Sequence, residues 1–395
     1  MHESNLLSEP LLLPCGAQLK NRIIKSAMSD SLGDGAGNPT TTQMRLYERW
    51  AEGGAALSLI GEVQITPDFP EKPGNLVLTL DADASAMRTL ATRGSAQGAQ
   101  IWPQLGHAGA LSHAPISRPK GPSPLDVPGL KCDGLSLPAI EALPEAYARA
   151  AALAQTWGFG GVQIHAGHGF LLSQFLSPLF NHRTDDYGGP VPDRFRIIRQ
   201  IIAAIRARVG PAFPIGIKIN ATDKLEGGLT SDDALEVVRL LDATSIDLID
   251  ISGGTYFPGA PSSSDGLSDS GAYFAGFARH AKQVTTKPLA LTGGIKTRAE
   301  ATQIVEDGTA DAISLARAMV MDPAVPRSWL SDGGNPTFPK FDAPPPGSVT
   351  AWYSMRLTAL GEDREDAFDL TATDALKIYD ARDAKRCAIW RARFG

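Results

Sequence analysis

Residues 160–189 read GGVQIHAGHGFLLSQFLSPLFNHRTDDYGG. A short apolar strand over 161–164 gives way to a helix-and-loop segment, so His165 and His168 fall where a parallel strand meets its following loop, the position at which α/β enzymes keep their chemistry. Two imidazoles at such a strand end can converge on one point, and two N–H donors aimed at one oxygen polarise a carbonyl and stabilise the enolate it becomes. The competing readings are a metal pair and a pair of structural histidines. A metal needs a third and usually a fourth ligand, and the neighbours Gln163, Gly167, Gly169 and Phe170 offer neither carboxylate nor thiolate, so no metal is expected.

The same strand-then-helix pattern runs along the chain. Apolar runs at 56–63, 101–105, 215–220, 248–252, 289–292 and 312–315 join 161–164 and a first strand within 19–28, which makes eight strands with a helix-like segment after nearly every one. Continuous rather than alternating apolar runs mean strands buried on both faces, hence a parallel sheet, and the expected fold is an α/β (β/α)₈ TIM barrel. An open doubly wound sheet is the alternative; it lacks the G-x-G-x-x-G that a dinucleotide-binding sheet carries after its first strand. Helices are expected at 41–53, with hydroxyls of Thr40 to Thr42 as caps, and around 84–97. Two segments exceed a minimal barrel. A long Pro- and Gly-rich loop follows strand three (106–144) and reads as a lid or binding loop. The second is a C-terminal helical extension, in which Leu376, Tyr379, Cys387, Trp390 and Phe394 recur at helical spacings. We divide the chain into a barrel over 1–335 and an extension over 336–395, packed on the barrel or at a subunit interface, where Trp352, Tyr353 or Arg356 would approach a neighbouring active site.

A net charge of −6 over 395 residues with dispersed Lys and Arg argues against a nucleic-acid partner, and no uninterrupted apolar run is long enough for a membrane span. No basic-then-apolar leader is legible, so a cytoplasmic protein is expected. Cys15, Cys132 and Cys387 lie far apart and read as reduced thiols, with no spacing for an iron–sulfur cluster.

At the strand ends stand Met28 and Ser29, residues 62–64, Gln104 and His107, then His165 and His168, Lys218 within strand five, Gly253 and Gly254, Gly293 and Gly294, and Arg317. A glycine-rich turn after strand seven with an arginine after strand eight makes a phosphate site, because exposed N–H groups and a cation both favour a dianion. Lys218, inside the apolar run IGIKINA, is expensive without an anion to pair with.

The phrases IHAGHGFLLSQFLSP and NHRTDDYGG, with PQLGHAG, LTGGIKT and DAISLARAMVMDP elsewhere, resemble the Old Yellow Enzyme family of FMN-dependent ene-reductases and NAD(P)H:flavin oxidoreductases. The resemblance implies FMN as cofactor, NADPH or NADH as reductant, and a ping-pong reduction of the activated C=C bond of an α,β-unsaturated carbonyl compound. It implies that Ala27, Met28, Ser29, Val63, Gln104 and Lys218 surround the flavin ring, with Lys218 near N1 and O2, and that Gly293, Gly294, Ala316 and Arg317 hold the phosphate. His165, His168 and Phe170 would contact substrate. Arg194 matches a position we read as structural, paired with acidic groups. The chain departs from the family pattern in three places. Ser29 stands where relatives carry Cys or Thr, Ala316 where glycine is usual, and Phe170 where a tyrosine usually donates the substrate's proton. Phenylalanine has no proton to give, which leaves Tyr256, Tyr273 or water as the source. It also raises a second reading, electron transfer to quinones, nitro compounds or oxygen. A reading of another class is a barrel that binds FMN or a phosphorylated ligand without turnover. A small-molecule substrate and a homodimer are the expected partners.

Overall fold

The structure, a computed structural model, describes residues 6–261 and 271–395. Eight parallel strands close into a barrel: β1 (Ile23–Lys25), β2 (Leu57–Gln64), β3 (Gln100–Gly106), β4 (Val162–Ala166), β5 (Ile215–Asn220), β6 (Leu248–Ser252), β7 (Leu289–Thr292) and β8 (Ala312–Leu315). Closure is made by β1, which pairs with β8 on one side and β2 on the other. The open-sheet alternative is thereby excluded. Every residue of β2, β4, β5 and β6 is buried, the signature of strands covered on both faces.

Helices α1 (Thr41–Glu52), α2 (Ala84–Gly94), α3 (Leu143–Thr156), α4 (Arg196–Val209), α5 (Ser231–Asp242), α6 (Ala275–Lys282) and α7 (Arg298–Glu306) cover the strands. In α1 the Thr40 hydroxyl accepts from the Gln43 amide at 3.2 Å, a cap whose loss costs about 1 kcal/mol. The same helix buries Met44, Leu46, Tyr47, Trp50 and Ala51 on one stripe, and full burial of each large side chain contributes roughly 1.5–3 kcal/mol. Helix α2 ends at Gly94, earlier than the sequence pattern implies, because Gln97 takes φ 54° and breaks the turn. After β8 two short helices, Ala318–Met321 and Val325–Leu330, stand in for the eighth barrel helix.

The long connection after β3 carries a small sheet of its own, Lys120–Gly121, Leu125–Val127 and Leu130–Gly134. Its buried Leu125, Leu130 and Cys132 pack on Phe180. The tail forms α8 (Ser348–Gly361) and α9 (Ala372–Phe394), and α9 buries Tyr379, Cys387 and Trp390, with Leu376 partly covered. Within the chain, Trp352 packs against Phe341, Phe368 and Leu370 of the tail, and Tyr353 and Arg356 meet the segment after β8. Trp352 Nε1 donates to Leu370 O at 2.9 Å, Arg356 donates to the Val320 and Met321 carbonyls at 3.3 Å, and the Tyr353 ring is 5.8 Å from the Arg317 guanidinium. The three cysteines are free thiols, and no helix among the described residues is long and apolar enough to cross a membrane.

Candidate active site

Register puts the chemistry in one layer. His165 on β4 lies beside Lys218 on β5, and Lys218 beside Asp250 on β6. Lys218 Nζ meets Asp250 Oδ2 at 2.6 Å and donates to Ser26 Oγ at 3.1 Å and Thr292 Oγ1 at 3.2 Å. The anion that Lys218 requires is therefore supplied within the barrel. Asp250 in turn accepts from Thr292 Oγ1 at 2.7 Å and from Gln163 Nε2 at 3.1 Å, and Gln163 accepts from Gln104 Nε2 at 2.7 Å. A continuous polar string thus crosses the barrel from Gln104 to Ser26, every member buried.

The histidines are joined in series. His165 Nδ1 and Glu62 Oε1 share a hydrogen bond of 2.5 Å, His165 Nε2 and His168 Nδ1 one of 3.0 Å, and His168 Nε2 and Ser252 Oγ one of 2.9 Å. The sequence reading had both rings aimed at a single oxygen; here one ring hydrogen-bonds the other, and only His168, half-buried, lies at the open end. His168 holds this position with φ 59°, its amide donating to Asn220 Oδ1 at 2.9 Å while Asn220 Nδ2 donates to Asp223 Oδ1 and the Gly254 carbonyl.

Glu62 arrives from β2, where the register with β3 slips between Ile60 and Val63, a bulge of the kind that re-aims a side chain. Gly106 makes room for it: a Cβ there would stand 2.7 Å from Glu62 Oε2. The same oxygen accepts from Gln64 Nε2 at 2.9 Å. Burial pushes the Glu62 carboxyl up to about 7, against the weaker lowering by Gln64. Burial and then the charge of Lys218 push His165 down to about 3, with Asp250 opposing, and His168 is driven well below the ordinary imidazole value by burial, His165 and Lys218. The Glu62–His165 contact is accordingly a hydrogen bond to a neutral ring, since an imidazolium here would be desolvated beside Lys218.

Around this centre, Phe170 is buried with its ring 5.1 Å from His165 and 5.9 Å from Tyr256, which is itself 60% exposed. Tyr273 stands apart, at Gly293 and Gly294. Ala27, Met28 and Ser29 leave β1 against Gly61, and Ser29 Oγ donates to Glu71 Oε2 at 2.7 Å. Val63 is buried beside Glu62. Gly293 and Gly294 take φ 113° and 81° at the exit of β7, opposite Ala316 and Arg317 at the exit of β8. His107 stacks on Phe69 and its Nδ1 accepts from the Gly109 amide. Arg194 pairs with Asp233 at 3.0 Å and donates to the Leu176 carbonyl, the structural role its position implied.

A family model described as the NADH:flavin oxidoreductase / NADH oxidase family matches residues 7–330. The chain belongs to that family, the Old Yellow Enzyme family. An NADH-dependent flavin oxidoreductase of Hypocrea jecorina is 30% identical over 355 residues, covering 82% of this chain and 88% of the relative. Another, from Neonectria sp., is 33% identical over 358 residues, covering 82% of this chain and 46% of the relative. The chain thus spans about half the length of some of the curated relatives it matches. Among solved structures, the old yellow enzyme homologue from Zymomonas mobilis superposes with a TM-score of 0.73 at 24% identity, over 83% of this chain and 93% of that one, a likeness of fold. As a member of this family the chain is a flavoprotein oxidoreductase, with FMN as cofactor and NADH or NADPH as reductant. The residues present fit FMN: a buried lysine among hydroxyl and amide groups for the ring, and a side-chain-free turn beside an arginine for the phosphate.

Of the two acidic residues that complete the site, Asp250 is absent from the sequence reading, and Glu62 stands there among the strand-end residues without a chemical role. The cost of burying Lys218 required an anion but could not say which strand brings it.

Proposed function

We propose that this barrel reduces the activated C=C bond of α,β-unsaturated carbonyl compounds with NADPH or NADH in a ping-pong cycle. The observation that most supports this reading is the hydrogen-bonded imidazole pair His165/His168 at the exit of β4, beside Phe170, with His168 half-buried. Ala27, Met28, Ser29, Val63, Gln104 and Lys218 would surround the FMN ring, and Gly293, Gly294, Ala316 and Arg317 its phosphate. When bound and reduced, FMN supplies the hydride. A neutral imidazole N–H donates to the substrate carbonyl and draws charge onto its oxygen, and the Phe170 ring forms an apolar wall that keeps water from the reacting bond. Lys218 favours negative charge near it by simple attraction in a buried site, so its replacement by Met should make flavin reduction harder.

Phe170 favours a second reading, in which electrons pass to quinones, nitro compounds or oxygen and no substrate proton is needed at that position. Tyr256, next to Phe170, is a proton source the first reading can use, and Tyr273, beside Gly293 and Gly294, a less direct one. The test is isotopic. With NADPH deuterated at C4 and cyclohexenone, the first reading places deuterium on the β-carbon of cyclohexanone. Oxidation of NADPH without labelled cyclohexanone contradicts it, and a yellow protein that oxidises neither NADPH nor NADH would leave only an FMN-binding role. A homodimer is part of this reading. Ile378 and Ile389, eleven residues apart on one face of α9 and both exposed, support a subunit contact, which light scattering tests.

A further inference from the structure

We infer that Glu62, His165 and His168 form a proton wire that delivers to the substrate the proton which Phe170 has no means of donating. The inference rests on the alkene-reducing reading and goes beyond it by naming the donor. Its basis is the unbroken chain of hydrogen bonds Glu62 Oε1, His165 Nδ1, His165 Nε2, His168 Nδ1, His168 Nε2, Ser252 Oγ, with separations of 2.5, 3.0 and 2.9 Å between residues. Its inner end is buried, His168 at the exit of β4 is half-buried, and Ser252 at the end of β6 is buried beside that ring.

Such a chain has two self-consistent polarities. With Glu62 protonated, its O–H donates to His165 Nδ1, His165 Nε2–H donates to His168 Nδ1, and His168 Nε2–H donates to the Ser252 hydroxyl. With Glu62 ionised, both rings carry Nδ1–H instead and the Ser252 hydroxyl donates to His168 Nε2. A serine hydroxyl suits this end because it can play either part. Passing from the first state to the second moves one proton out. The Glu62 O–H bond breaks as His165 Nδ1–H forms, His165 Nε2–H breaks as His168 Nδ1–H forms, and His168 Nε2–H breaks as an O–H bond forms on the enolate oxygen it has been holding; the enol then takes a proton from water at its α-carbon as its O–H proton is released to water. The substrate gains a hydride at one carbon and a proton at the other. Glu62 is left a carboxylate and takes one proton from solvent before the next turnover. Both rings begin and end neutral, which matters in a site where an imidazolium is strongly disfavoured.

The groups facing Glu62 set the range over which it works. Its carboxyl is held near neutrality by burial. The Glu71 carboxyl, raised by burial and by Glu62, faces it with Lys72 beyond, and the Tyr147 hydroxyl of α3 is close enough to feel its charge. On the far side stand His165 and, behind that ring, Lys218 and Asp250.

The decisive experiment follows the imidazole nitrogens directly. In the FMN-loaded, oxidised protein, ¹⁵N NMR of histidine between pH 5.5 and 8.5 should show His165 and His168 changing together from the Nε2–H to the Nδ1–H tautomer in one step. In Glu62→Gln, an isosteric change, both rings should keep one tautomer throughout. Single-turnover reduction of cyclohexenone by pre-reduced Glu62→Gln should be at least tenfold slower than wild type, with its pH dependence flattened. Tautomers that ignore pH in the wild type, or a Glu62→Gln variant with wild-type rate and profile, overturn the wire. A wild type that switches tautomers but reduces no enone overturns the alkene reading and the delivery step with it. Enone reduction with fixed tautomers overturns the wire alone.

Discussion

Glu62 shows how one buried group couples site and stability. Its carboxyl sits near 7 in the folded chain against an ordinary 4.5, so between those values the folded state holds a proton that the unfolded state releases. Folding stability contributed by this group is therefore complete below pH 4.5 and is lost as pH rises through 7. Glu62→Gln should remove that loss. Urea unfolding at pH 5 and pH 8 should show a fall in wild-type stability steeper than the variant's by on the order of 2 kcal/mol. Glu71, raised in the same direction by burial and in part by Glu62, is present in both proteins, so the difference reports Glu62 together with its coupling to Glu71. An identical slope in the two would mean that Glu62 ionises freely. At this scale His165, His168 and Lys218 were legible in the sequence because a strand-end motif and a lysine in an apolar run are local signals. Glu62 was legible only as a strand-end residue and Asp250 not at all, because their partners lie 103 residues away and on a neighbouring strand respectively, and nothing local marks such pairings.

At the scale of elements, the eight strands could be read because each is a continuous apolar run bounded by turn residues, and β5 to β8 fall where the pattern places them. The small sheet after β3 escaped notice. Its strands are two to five residues long and broken by Pro and Gly, so neither alternation nor an apolar run develops. The exit of β7 carries the prediction here. Gly294 has φ 81° and a Cβ would stand 2.0 Å from the Gly271 carbonyl oxygen, so Gly294→Ala must shift the turn as well as strain it. FMN retention should fall by at least tenfold, read by flavin fluorescence on dilution, while circular dichroism stays that of a barrel. Unchanged retention would remove this turn from the phosphate site.

Across the whole molecule, α9 ties together the loops that follow the first three strands. Arg386 donates to the Ser31 carbonyl at 2.5 Å, Arg391 to Pro115 O at 2.8 and 3.0 Å, and Arg393 pairs with Asp81 at 2.6 Å. The helical spacing of the tail was legible; its arginine contacts to the barrel loops were not, because polar side chains on a helix do not announce their partners. A hydrogen bond from a charged donor stabilises by about 1.5–3 kcal/mol, so Arg386→Ala should speed amide exchange in residues 31–38 by about tenfold or more and leave β5 to β8 unchanged. These scales meet in a barrel that holds FMN and directs its electrons. The most direct test is anaerobic stopped flow on the yellow protein: bleaching by NADPH or NADH, then reoxidation by cyclohexenone and, separately, by a quinone or oxygen. The account predicts rapid return of the yellow colour with the enone. Reoxidation by quinone or oxygen alone would contradict it.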